Sequence, residues 1–400
     1  MAPTYSTDII IFGGGIAGLW LLNRLRREGY DPILFETKSV GGKQTIAAQG
    51  IIHGGLKYAL TGKITDAANA VAAMPLRWRR CLGGTGEVDL TGVKVLSEHY
   101  YMWSEAGLRS KIKSFLGSKA LVGKIQALKK DEYSEFFKCA TVDGSLYKLP
   151  DFVIDTESLI EKLVADCRER IFNLDMNDTT FPYDRVAEKH SLQISMNNKT
   201  VTLNAEKFIF SAGEGNSQLI KMASLDSMRS QIRPLHMVYL SKNGLPEVYA
   251  HCIGDSFSLT PKLTITSHRR KTGDTVWYLG GDIAETGIQR TQSAQITYAK
   301  KLLEELFPWV DLQDADWNSF IINRAEGKAK GNYRPDSIVL DNQSNIFVAW
   351  PTKLTLTPSL ADKVVEHCKS KQLKMPNNAG NLLELKSLFQ QPKLAQAKWE

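Results

Sequence analysis

The chain has 400 residues, 43% of them apolar and 23% charged, with a formal net charge of +7. That length suits two domains or one elaborated α/β unit, and the composition is that of a globular protein, not a disordered or fibrous one. The basic excess is spread out rather than gathered into a tract, which argues against a nucleic-acid partner while leaving room for anionic substrates or peripheral contact with a membrane surface.

Residues 1–7 are too short and too polar for a signal peptide, and no window of about 18 continuous apolar residues exists for a transmembrane helix. Cys81, Cys139, Cys167, Cys252 and Cys368 form no C-x-x-C pair and are odd in number. Reduced thiols in a cytoplasmic protein are the simplest expectation, with no metal site and no disulfide framework.

The first structured unit is read from residues 8–36. Residues 8–12 are a short apolar run, as in a buried parallel strand. Gly13, Gly14, Gly15, Ile16, Ala17 and Gly18 follow, satisfying G-x-G-x-x-G. An amphipathic helix is predicted over 19–27, with Leu19, Leu21, Leu22 and Leu25 on its apolar side, and a second strand over 33–36. Gly13 permits the tight turn, Gly15 lets a pyrophosphate approach the backbone, and Gly18 lets helix and strand pack closely. The first-turn N–H groups and the helix dipole then receive phosphate charge. Glu36 stands 18 residues after Gly18. Its carboxylate is placed to accept both hydroxyls of an adenosine ribose, and it would repel a 2′-phosphate, which argues against NADP. Strand, turn, helix and acid in this order predict a dinucleotide site.

The next stretch, residues 37–50, is rich in small residues, so its backbone can lie against an extended cofactor. Thr37, Lys38, Thr45, Gln49 and Gly50 are the expected contacts. It leads into Ile51-Ile52-His53-Gly54-Gly55-Leu56-Lys57-Tyr58. Together with the fingerprint and the acid, this segment resembles the flavoprotein superfamily of D-amino-acid oxidase, glycine oxidase and the FAD-dependent glycerol-3-phosphate dehydrogenases. The resemblance implies noncovalent FAD, with His53 near the flavin and Lys57 and Tyr58 facing the substrate. Lys57 stands where the family has Arg, which removes a bidentate fork for phosphate or carboxylate.

A helix is predicted over 65–80, strand-like segments over 93–103, and helical patterning over 105–116. Another helix is predicted from 154 to about 170, with Thr156 as its cap. Strands are expected at 184–186, 191–196 and 199–204, and an apolar strand opens at 207 and runs to Ala212-Gly213. The resemblance implies that the Val186 backbone meets the adenine and that Ala212 and Gly213 lie near the pyrophosphate. From 231 to 281 four short strands separated by turn signals predict an antiparallel sheet. A helix follows over 293–306.

Arg334, in Tyr333-Arg334-Pro335, resembles the family's substrate-reaching arginine, with Arg324 as its rival. A strand is predicted over 345–349 and a helix over 359–368. The resemblance implies that the N-terminus of this helix points at the flavin pyrimidine. Lys353, Leu354 and Thr355 fall where the family has a glycine-rich turn, and Lys353 is placed to supply positive charge directly. His236 resembles a family histidine that faces the flavin and is the first choice for a base, ahead of His251 and His268.

The expected fold is α/β: a Rossmann-like FAD-binding domain (1–90, 151–220 and 331–370) interleaved with an α+β substrate domain on an antiparallel sheet (91–150 and 221–330), then a tail over 371–400. The expected activity is FAD-dependent oxidation of a small anionic hydroxy or amino compound by hydride transfer. Oxygen, a quinone or a carrier protein is the electron acceptor. The alternatives are an amine or amino-acid oxidase using O₂, and a flavin-binding redox sensor without turnover.

Overall fold

The computed structural model describes residues 3–55, 71–105, 125–196, 199–225, 227–253, 261–328, 335, 337–370 and 379–400. Of the helix expected over 105–116 only Glu105 lies within them, as the end of a strand, and the start of the one expected over 65–80 lies outside them, its described part containing the helix Met74–Leu82.

The first strand, Thr4–Phe12, starts before the apolar run, because its polar half pairs with the polar half of Lys199–Phe210. That partner is one continuous strand, where the sequence pattern had predicted two. Ile171–Asn173, Pro32–Glu36, Thr4–Phe12 and Lys199–Phe210 lie side by side in parallel, and Ile346–Trp350 joins the far edge of the last. Parallel strands need crossover connections, and here they are covered by helices. Ile16–Arg27 is the central one. Leu19, Trp20, Leu21, Leu22 and Leu25 on it are fully buried, because Thr156–Ala165 and Thr357–Ser370 pack beside it. Each buried leucine contributes roughly 1.5–3 kcal/mol.

The Thr156–Ala165 helix is shorter than expected. Its cap is Asp155, whose Oδ1 accepts the Ser158 N–H at 2.7 Å, and Phe152–Ile154 just before it is a strand. That strand pairs with Ile51–Ile52 on one side and Val95–Ser97 on the other, in a small three-stranded sheet of its own.

The second sheet has eight strands. Ser230–Lys242 lies between Asp316–Gly327 and Thr275–Gly280, followed by Leu263–Arg269, Ala250–Ile253, Tyr100–Glu105, Gly144–Leu149 and, at the edge, Gln126–Ala127. It is antiparallel except where Ala250–Ile253 meets Tyr100–Glu105 in parallel. Asp316–Gly327 was not foreseen. Side chains alternate along Ser230–Lys242. Val238 and Leu240 pack outward with Leu302 and Leu303 of the Gln292–Leu306 helix, while Met237 and Tyr239 join the core that contains Ile16–Arg27.

The C-terminal residues bridge the two halves. Lys393–Leu394 pairs in parallel with Ser39–Val40, and the Ala397 N–H donates to Glu157. Trp399 is buried against His268 and Tyr278, its carbonyl accepts from Arg270 at 2.6 Å, and the Tyr239 hydroxyl donates to the Lys398 carbonyl.

Candidate active site

A cavity of about 580 Å³ runs from the carboxyl ends of the parallel strands to the inner face of the second sheet. Open α/β sheets place ligands at that end of their strands.

The glycine turn forms one wall. Gly13 has φ +101°, and a Cβ there would lie 2.4 Å from the Ala212 backbone. A Cβ on Gly18 would lie 1.9 Å from the Gly13 carbonyl oxygen, so Gly18 seats the helix against the turn from behind. Gly15 differs: its Cβ would meet only Thr45 Oγ1, at 3.1 Å, and Gly15 lines the cavity beside Ile16 and Ala17. The Ile16 N–H donates to Thr45 Oγ1 at 3.0 Å, so one first-turn donor is already held by the protein. Ala212 and Gly213 line the same region.

Glu36 stands at the end of Pro32–Glu36. Its Oε2 accepts the Gly14 N–H at 2.6 Å, and its Oε1 accepts the Thr37 and Lys38 N–H groups at 2.8 and 3.0 Å. A carboxylate has about four lone-pair sites, so capacity remains on Oε2 for a hydroxyl. Glu36, Thr37 and Lys38 all line the cavity.

Val186 does not. It is 95% exposed, at a hairpin turn between Tyr183–Asp184 and Lys189–His190. The expectation that it meets the adenine is corrected: Leu174 and Met176 line the cavity instead. The reason is sheet order. Ile171–Asn173 is the neighbour of Pro32–Glu36, and the Leu174 N–H donates to the Glu36 carbonyl at 3.0 Å.

Gln49 crosses between the halves, its Nε2 donating to the carbonyls of Thr264 and Tyr278. Gly50 has φ +72° and packs on the Ile154 carbonyl. Both line the cavity, as do Thr45 and His53. The His53 N–H donates to Thr355 Oγ1 at 3.2 Å, and that hydroxyl donates to the Ile51 carbonyl at 3.3 Å. The fully buried Thr355 thus holds the His53 segment with a side chain, where a glycine turn had been the family's pattern. Lys353 and Leu354 line the cavity with it, and the helix behind begins at Thr357, two residues earlier than predicted. Lys57, Tyr58 and Arg334 lie outside the described residues.

His236 is a second correction. Leu235 and Met237 line the cavity, so strand alternation sends His236 to the opposite face. There its Nδ1 lies 2.9 Å from the Gly287 carbonyl oxygen and its Nε2 2.9 Å from Ser319 Oγ. A carbonyl only accepts, so Nδ1 donates to it, while Nε2 pairs with the Ser319 hydroxyl. Both ring nitrogens of His236 are therefore engaged by the protein, and the ring does not line the cavity.

Among the described residues, the ionisable side chains at the second sheet's end of the cavity include His251, Arg324, Glu285 and Asp151. His251 Nδ1 pairs with Thr264 Oγ1 at 3.0 Å, and burial pushes its imidazole down to about 4, so it is neutral at pH 7. Arg324 is held by Glu285 at 3.1 Å and Glu326 at 3.5 Å. Asp151 is 2% exposed, and burial pushes its carboxyl up to about 7 against the pull of the Gly54 N–H at 2.8 Å. Sequence reasoning missed Asp151, because Pro150-Asp151 between two strands reads as a surface turn.

The residues present fit FAD. The open side of Gly15 gives a diphosphate access to main chain, Glu36 keeps capacity for a ribose, and the same cavity continues past Thr355 to the inner face of the second sheet. Among the described residues no group of three or more His, Cys, Asp or Glu side chains is placed to hold a metal, and no helix is long and apolar enough to cross a membrane.

A family model described as DAO, FAD dependent oxidoreductase, matches residues 8–349. The chain is 40% identical over 401 residues to the probable FAD-dependent oxidoreductase PA4991 of Pseudomonas aeruginosa, covering all of this chain and 99% of that protein. The crystal structure of PA4991 superposes with a TM-score of 0.83 at 35% identity, over 100% of this chain and 99% of the other. Two more distant structures share the fold. L-alpha-glycerophosphate oxidase from Mycoplasma pneumoniae, with FAD bound, has a TM-score of 0.65 at 15% identity, over 93% of this chain and 97% of that one. Glycine oxidase from Geobacillus kaustophilus has 0.64 at 14%, over 94% and 100%.

Proposed function

The chain belongs to the DAO family of FAD-dependent oxidoreductases, and on that premise we propose that it oxidises a small anionic hydroxy or amino compound by hydride transfer to the flavin. FAD supplies the two-electron acceptor, at its N5. One observation carries the reading: a single cavity joins the phosphate-type turn at Gly15 and Glu36 to a chamber lined by His53, His251 and Arg324.

In this reading Gly13, Gly15, Ile16, Ala17, Ala212 and Gly213 surround the pyrophosphate, with Gly18 shaping the turn. Glu36, Thr37 and Lys38 hold the ribose end. Thr45, Gln49 and Gly50 flank the extended cofactor, and Lys353, Leu354 and Thr355 border the flavin ring. Arg334 is the favoured anchor for the substrate's anionic group and Arg324, which is paired with Glu285 and Glu326, its rival; Lys57 and Tyr58 remain substrate-side proposals from sequence. The domain division into 1–90, 151–220 and 331–370 against 91–150 and 221–330 is likewise a proposal, supported by the sheet that each set of segments builds.

The test is anaerobic bleaching of the bound flavin by a panel of hydroxy acids, amino acids and glycerol phosphate. At least one anionic compound is expected to bleach it, and admitting air distinguishes an oxidase from a dehydrogenase. A yellow protein that none of them bleaches overturns the reading.

A further inference from the structure

Asp151 is a buried acid that the foregoing roles leave unused. It follows Pro150 in the turn between Gly144–Leu149 and Phe152–Ile154. The second of these strands pairs with Ile51–Ile52, Ile52 opposite Phe152, so the antiparallel ladder runs on toward His53 and Asp151. The Gly54 N–H donates to Oδ1 at 2.8 Å. Among the described residues Oδ2 takes no hydrogen bond, although Asp151 is 2% exposed and lines the cavity. A carboxylate that is buried from bulk solvent but lines a cavity depends on the cavity's occupant for its remaining donor, so such a group points to a ligand that supplies one.

Its surroundings leave that task to a ligand. From Tyr100–Glu105, the Tyr100 hydroxyl donates to the carbonyls of Ala250 and Ile265 at 3.1 and 2.9 Å and not to the acid. From Ala250–Ile253, the His251 ring packs on Tyr100 with centroids 4.6 Å apart, and its Nδ1 is engaged with Thr264. From the segment after Ile52, His53 and Gly54 face the acid through the Gly54 N–H. No Lys or Arg of the described residues forms an ion pair with it.

We propose that Asp151 Oδ2 is the proton acceptor for the substrate's O–H or N–H. In the balanced step the substrate's C–H bond breaks with its electron pair passing as hydride to FAD, the oxidant. The adjacent O–H or N–H bond breaks, its proton forms an O–H bond on Asp151, and the carbon becomes a carbonyl or imine. The proton later leaves to solvent. A carboxyl that titrates near neutrality is suited to both halves of that exchange. The proposal rests on the oxidoreductase reading above.

Asp151→Asn tests it, since Asn Oδ1 can still accept the Gly54 N–H. The variant is expected to purify yellow. Its anaerobic flavin bleaching by a substrate from the panel is expected to slow by about 100-fold or more. Wild type is expected to show a rate that rises with pH through about 7, and the variant to lose that limb. A second readout needs no turnover. The folded-state value exceeds the ordinary 3.8, so the wild type loses stability as pH rises from about 4 to about 7, whereas Asn does not titrate. The melting temperature of Asp151→Asn relative to wild type is therefore expected to climb over that window and level off above it. A merely structural acceptor predicts an unchanged bleaching rate and pH limb, and either result would overturn the proposal. A relative melting temperature that stays flat from pH 4 to 8 would also overturn it, because the carboxyl would then be as well solvated or partnered in the fold as in the unfolded chain, and Oδ2 would not be waiting for a donor. If wild type itself is bleached by nothing, the oxidoreductase reading fails and this proposal fails with it. If wild type is bleached and the variant matches it, only the role of Asp151 is lost. Should the Asn variant fail to fold, Asp151→Ser, which removes the carboxylate with less bulk, is read by the same two measurements.

Discussion

The two ends of the cavity are built in opposite ways. The phosphate end is made of main chain: Gly13 to Gly18 and Glu36 are close in sequence, and their geometry follows from where side chains are absent. The second end is made of side chains from distant segments, with Asp151, His251 and Arg324 delivered by three different strands or turns. A site of the first kind is fixed by local stereochemistry. A site of the second kind depends on strand order and on which face each residue takes.

The glycines give the largest effects by which that contrast can be broken. A side chain on Gly18 must displace the Gly13 carbonyl 1.9 Å away, so Gly18→Val is expected to destabilise by more than about 4 kcal/mol and to yield little folded protein. Gly15 has extended backbone with φ −76° and only Thr45 nearby, so Gly15→Val is expected to fold with a normal circular dichroism spectrum yet emerge colourless. Full flavin occupancy in Gly15→Val would remove the pyrophosphate from this turn. His236 sharpens the other side of the comparison. His236→Asn is expected to cost about 1–3 kcal/mol in chemical denaturation, through the lost bonds to Gly287 and Ser319. Its flavin bleaching rate at saturating substrate is expected to equal that of wild type; a drop of tenfold or more would return His236 to the chemistry. Val186 gives the smallest effect. Val186→Asp is expected to change stability by less than about 0.5 kcal/mol and to leave FAD affinity untouched, as measured by fluorescence titration.

The same contrast explains what could be read in advance. Gly13, Gly15, Gly18 and Glu36 were legible because spacing alone places them, and the alternation of strands and helices around them announced the parallel sheet. His236 misled because resemblance of a strand does not carry parity: a residue one position along points the other way, and Leu235 and Met237 hold the cavity side. Val186 misled because the hairpin it sits in resembles any other short strand pair, whereas the strand that reaches Glu36 is the inconspicuous Ile171–Asn173. Asp316–Gly327 went unseen because its residues alternate weakly, burial being concentrated at its last three positions. Thr355 shows a different limit. A hydroxyl that ties His53 to Ile51 takes the place of a glycine, and nothing local in the sequence says that the partner is three hundred residues away.

The last eight residues tie a strand beside Glu36 to the sheet that carries His251, through Lys393–Leu394 on one side and Trp399 with Arg270 on the other. A hinge that swung the halves apart would have to unzip that seam first. Traffic into the chamber is therefore better served by small displacements of individual segments than by a clamshell motion of the whole molecule.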